Sequence, residues 1–118
     1  MEKKARKELI RRYNERKLVG GIYVVRNTRD GTLYLDASAD IRASRSRFDF
    51  SQKAGICQIA KLKKDWDELG AGAFVLDVLE EYVKDESSSD SEFMDDLGEL
   101  KSLWREKLSR EGSSFYSE

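Results

Sequence analysis

The sequence predicts an α+β fold: a three-stranded, mainly antiparallel sheet packed by helices, with an extra helix at the N-terminus. Three observations carry this expectation. A β-branched and aromatic run, Ile22-Tyr23-Val24-Val25, is followed by an Asp30-Gly31 turn and a second run, Thr32-Leu33-Tyr34-Leu35, the pattern of a hairpin. A third alternating run returns at 74–82. Segments with helical apolar spacing lie before, between and after these strands, which together make a layered sheet-and-helix arrangement.

Each element has its own warrant, taken in chain order. Residues 2–17 read as a helix because Ala5, Leu9 and Tyr13 recur at every fourth position, while Lys3, Lys4, Lys7, Arg11, Arg12 and Arg16 make the other face basic. Gly20-Gly21 punctuates the chain before the first strand. Ser38-Ala39-Asp40 has the composition of a helix N-cap and opens a short arginine-bearing helix to about Phe48. Ile56, Ile59, Leu62, Trp66 and Leu69 then predict a helix over 52–69, stopped by Gly70 and Gly72, with Cys57 as a small core residue on its apolar side. Residues 84–92 are polar and serine-rich and read as a loop. Phe93, Leu97, Leu100, Trp104 and Leu108 form the stripe of a last helix over 92–108, and Phe115 and Tyr116 lie in a tail over 109–118.

Composition narrows the function classes. The chain has 118 residues, enough for one small domain, with 39% hydrophobic and 38% charged residues. No apolar run reaches the length of a membrane span, and no signal-peptide stretch follows Met1. A single cysteine excludes an internal disulfide and fits a reducing, cytoplasmic setting. The absence of histidine excludes Ser-His and Cys-His catalysis and nearly all zinc chemistry. The net charge of −1 conceals an asymmetry: residues 1–64 hold seventeen Lys/Arg against seven Asp/Glu, and residues 65–118 hold five against sixteen. A basic half of this kind suits a polyanion, and an acidic half suits a protein partner.

Gly21-Ile22-Tyr23, then Asn27, then Tyr34-Leu35-Asp36 on the returning strand resemble the two signature triplets of the GIY-YIG nuclease domain. The likeness continues through the arginine-bearing helix, the phrase Leu62-Lys63-Lys64-Asp65-Trp66, the third strand and a terminal helix carrying Glu99, covering about residues 20–108. The leading helix, 1–19, is then an extension particular to a bacterial subgroup of such small proteins. The resemblance implies hydrolysis of DNA phosphodiesters with a divalent metal, Mg2+ or Mn2+. Tyr23 and Tyr34 match the two tyrosines that activate and orient water or phosphate, and Glu99 matches the metal-holding glutamate. Gly21 and Asn27 match the structural support of the hairpin. Should Glu99 fail as a ligand, Ser38, Asp40 and Glu80 are the fallbacks, with no motif behind them.

Three positions depart from that pattern. The place of the arginine that stabilises developing negative charge falls on Ser44, with Arg42 and Arg45, which share a helical face, as its candidate replacements. Asp36 stands where the second triplet has glycine, and Phe48 where relatives often carry histidine. Geometry adds two conditions. An even-numbered hairpin loop, such as a two-residue Asp30-Gly31 turn, puts Tyr23 and Tyr34 on one face, and an odd-numbered loop separates them. Glu99 lies about opposite the Leu97, Leu100, Trp104 stripe of its helix.

Arg47, Lys53, Lys61, Lys63 and Lys64 cluster in sequence and are the candidate nucleic-acid contacts, through phosphates and not through bases. Two functions therefore stand. One is a metal-dependent DNA endonuclease whose arginine is supplied by a neighbouring position, the altered arginine and glycine positions pointing to impairment. The other is a non-catalytic module on the same fold that binds nucleic acid or a protein.

Overall fold

Alternation in the first strand decides the architecture. In the computed structural model, which describes residues 18–116, β1 (Val19–Asn27) is the central strand, and β2 (Leu33–Ser38) and β3 (Phe74–Val83) flank it, both antiparallel, in the order β2-β1-β3. The sheet and its helices form an α+β fold. Ile22 and Val24 join Leu33 and Leu35 in one cluster, whereas Tyr23 and Val25 join Phe74 and Leu76 in another. Both sets are buried, so β1 faces apolar groups on both sides. The expected basic helix over 2–17 lies outside the described residues.

Two helices cover the Tyr23 side. α1 (Ile41–Ala54) starts at Asp40, whose side chain accepts from the Ala43 amide, and ends at Gly55, whose φ of 71° suits a residue without a Cβ. It presents Ile41, Ser44, Phe48 and Ser51 to the sheet. Where one helix was expected over 52–69, the chain forms the end of α1, an extended link, a 3-10 turn (Ala60–Leu62) and the short α2 (Lys63–Leu69). Gly55 breaks the helix, so Ile56 and Ile59 do not form a stripe, and Ile56 is exposed. Cys57 lies in the link, half-buried, with its thiol on the Ile59 carbonyl. Trp66 of α2 stacks on Phe74 and meets Phe48 edge-on, which closes this core.

One longer helix covers the other side. α3 (Asp90–Arg110) begins with a reciprocal capping box between Ser89 and Glu92 and carries the expected stripe: Phe93 and Leu97 are buried, and Leu100, Trp104 and Leu108 pack on the Ile22 cluster. Gly20 lets it approach, since a Cβ there would meet the Ser38 carbonyl and the Phe93 ring. The register of β1 against β3 shifts between Ile22 and Tyr23, a bulge beside which a Cβ on Gly21 would strike the Glu80 carbonyl. Glu80 accepts a hydrogen bond from Trp104 Nε1 at 2.8 Å, tying that bulge to α3.

The tail docks back on the sheet as far as Tyr116. Leu33 donates to the Ser114 carbonyl, the Tyr116 amide donates to the Leu33 carbonyl, and Phe115 packs with the Ile22 cluster. Among the described residues no helix is long and apolar enough to cross a membrane.

Candidate functional site

The hairpin places the two tyrosines together, by a longer loop than the sequence suggests. Asn27 and Thr32 close it, with the Asn27 amide donating to the Thr32 carbonyl at 2.9 Å, so the connecting loop is 28–31. Gly31, at φ 79°, takes the left-handed position. The loop still has an even number of residues, and the register sets Tyr23 opposite Asp36 and Val25 opposite Tyr34. Tyr23 and Tyr34 are therefore diagonal neighbours on one face, their ring centroids 6.5 Å apart. Asn27, almost fully buried, braces the hairpin: its Oδ1 accepts from the Arg29 amide, and its Nδ2 donates to the Tyr116 hydroxyl at 3.0 Å. Tyr116 in turn donates to Asp65 Oδ2 at 2.8 Å, so the tail, α2 and the hairpin meet at one buried amide.

Both phenols are held in the protonated state at neutral pH. Burial pushes the Tyr23 hydroxyl up to about 12, the negative charge of Asp36 adds to this, and the positive charge of Arg47 opposes it. Tyr34 is raised as well, by burial, then by the charge of Asp36 and by the hydrogen bond its hydroxyl donates to Asp36 Oδ2 at 3.0 Å. Tyr23 thus keeps its proton, and Tyr34 is already committed to Asp36.

The guanidinium beside Tyr23 belongs to Arg47. Ser44 points at the sheet, where its hydroxyl lies 2.6 Å from that of Ser38 and accepts from Arg47 Nη2 at 3.1 Å. Arg42 and Arg45, the expected replacements, lie on the exposed side of α1 with no partner among the described residues. Arg45 and Arg47 flank the buried stripe Ile41, Ser44, Phe48, Ser51 on its two sides, and Arg47 is the one on the Ser44–Ser51 side. Tyr23, Ser44, Arg47, Phe48 and Trp66 line a cavity of about 140 Å³, and the Trp66 Nε1 donor in its wall has no partner.

A second cleft, of about 300 Å³, runs beside β2 and is lined by Tyr34, Leu35, Lys61, Lys101, Arg105, Phe115 and Tyr116. It holds three cations and no carboxylate. Arg105 lies over the Phe115 ring at 4.5 Å. Lys101 reaches from α3 to Asp36 Oδ1 at 3.4 Å. Sequence reasoning missed Lys101, because nothing local shows that a helix on one sheet face extends a side chain past the edge strand to the other. Of the remaining predicted contacts, Lys61 joins this cleft. Lys53, Lys63 and Lys64 are exposed, and Lys63 is paired with Asp67 at 2.9 Å.

Among the described residues no group of three or more Asp, Glu or Cys side chains is placed to hold a metal ion. Glu99 is exposed, on the side of α3 away from the stripe that meets the sheet, and the structure does not bring it to the tyrosines. The fallback ligands are engaged elsewhere: Ser38 with Ser44, Asp40 as the cap of α1, and Glu80 with Trp104. Asp36 is the carboxylate whose charge bears on both phenols, and it already accepts from Tyr34, Lys101 and the Ala37 amide.

Sheet order and helix placement give a fold that solved structures share. The solved structures it matches are those of the catalytic domain of the homing endonuclease I-TevI. One superposes with a TM-score of 0.57 at 20% identity, covering 84% of this chain and 99% of that chain. A variant of that domain, with one glutamate replaced by alanine, gives the same score and identity over 85% and 93%. No family model and no curated protein matches the chain.

Proposed function

We propose that this domain binds the phosphate backbone of DNA across the tyrosine face and the β2 edge, on a nuclease fold whose hydrolytic capacity is impaired. The observation that carries the reading is the convergence of Tyr23, Tyr34 and Arg47 beside a cleft lined by Lys61, Lys101 and Arg105. The protonated Tyr23 phenol and the cations suit phosphate oxygens and read no base sequence. Impairment follows from the carboxylates. The resemblance implies Mg2+ or Mn2+, yet Glu99 faces away and Asp36 is occupied by a lysine and a phenol. Losing a group that stabilises transition-state charge costs on the order of 3–4 kcal/mol of catalysis.

The second reading, a metal-dependent DNA endonuclease, is favoured by one observation: Arg47 restores a guanidinium beside the tyrosine pair despite Ser44. Two measurements separate the readings. Fluorescence anisotropy with a labelled DNA duplex is expected to show binding that weakens steeply with salt. Incubation with supercoiled plasmid and Mg2+ or Mn2+ is expected to show little nicking. Efficient nicking that is lost in Tyr23→Phe establishes the endonuclease instead. Failure to bind DNA at low salt removes both readings and turns attention to a protein partner for the acidic half.

A further inference from the structure

The last helix delivers a positive charge, and no carboxylate, to the tyrosine pair. Leu97 is fully buried against the sheet, and Lys101, four residues on, lies above it on the same side of α3. Glu99, two residues on, is turned about 200° away and is exposed. From that position Lys101 reaches Asp36 at 3.4 Å, and Asp36 also accepts the Tyr34 hydroxyl. A divalent ion at Asp36 would find a single carboxylate that already accepts from Lys101, Tyr34 and the Ala37 amide.

We infer that the Lys101–Asp36 pair is a built-in cation site: Lys101 supplies beside the tyrosines the positive charge that a divalent metal would otherwise supply, and phosphate binds there without metal. The second half rests on the phosphate-binding reading above; the first half does not. Two features of the surroundings fit this arrangement. Lys101 also lines the basic cleft with Lys61, so its ammonium faces the space a phosphate would enter. Asp36 orients that ammonium while leaving it half-exposed, with three protons to share.

The test uses Mn2+ as its probe and electron paramagnetic resonance to count free metal. The unaltered chain is expected to leave the Mn2+ signal unchanged at millimolar metal. Lys101→Glu, which sets a second carboxylate against Asp36, is expected to tighten Mn2+ binding at least about tenfold. Mn2+ bound by the unaltered chain and lost in Asp36→Asn overturns the inference. So does a folded Lys101→Glu protein, by circular dichroism, that gains no Mn2+. Should Lys101→Glu not fold, Lys101→Met removes the charge and keeps the length. Its affinity for a labelled DNA duplex in EDTA is expected to fall about three- to tenfold. An unchanged affinity there overturns the role of the ammonium. If the unaltered chain binds no duplex in either EDTA or Mg2+, the phosphate reading fails, while the Mn2+ titrations still decide the ion-pair claim.

Discussion

Ile22 and Tyr23 are neighbours in β1 and lie on opposite faces of the sheet, and the two faces are finished differently. On the Ile22 side, aliphatic residues and α3 close together over Gly20, and the polar groups at that contact, Glu80 and Trp104 Nε1, satisfy each other. On the Tyr23 side the packing is aromatic and leaves a cavity, an unpartnered Trp66 donor, and phenols set against charge. The contrast teaches a division of labour. The larger buried core lies on the Tyr23 side, and polar groups are set at its margin, whereas the Ile22 side is closed by α3 with its polar groups paired.

The comparison can be broken most severely on the closed face. Leu97→Ala is expected to cost about 2–5 kcal/mol of stability by urea unfolding, since Leu97 is fully buried. The DNA affinity of the fraction that remains folded should not change.

On the open face the largest effect is alkaline. The Tyr23 phenol is raised from 10.0 to about 12 in the folded chain, so the folded state holds a proton that the unfolded state releases first. Its contribution to stability is therefore complete below pH 10 and is lost as pH rises toward 12. Unfolding midpoints across that window should fall, and fall less in Tyr23→Phe, with phenolate absorbance reporting the late ionisation.

Asn27→Ala comes next. It removes the amide that joins the hairpin, Tyr116 and, through Tyr116, Asp65, and is expected to cost about 1–3 kcal/mol. Arg47→Ala sharpens the contrast in function more than in stability. Duplex affinity should fall about tenfold, or about 1.4 kcal/mol, against a smaller loss for Arg42→Ala or Arg45→Ala. At the bottom, Glu99→Ala should alter stability by less than about 0.5 kcal/mol and leave DNA binding unchanged.

Legibility followed the range of the interactions. The three strands and the stripe of α3 were readable because alternation and a 3.6-residue period are local, and the long, regular elements obey them. The break after Ala54 was not, because Ile56 and Ile59 imitate a helical spacing and Gly55 alone overrules it. At the site, parity sufficed for Tyr23 and Tyr34, even though the loop is longer than a two-residue turn, since only its evenness matters. Arg47 was not separable from Arg45 in the sequence, because the two flank the sheet-facing stripe on opposite sides and both are exposed; only the packing of α1 sets Arg47 against Ser44.

The sequence by itself determined the alternation in β1, and with it two opposed faces and a tyrosine pair on one of them. It also determined the apolar stripe that binds α3 to the sheet. Only the tertiary structure decided which charges meet those tyrosines. Arg47 depends on how α1 is rotated against the sheet, and Lys101 depends on α3 extending a long side chain past β2 to Asp36. The physical reason is one of distance along the chain. Face and period are properties of successive residues, whereas the Lys101–Asp36 pair joins positions whose proximity is set by packing alone.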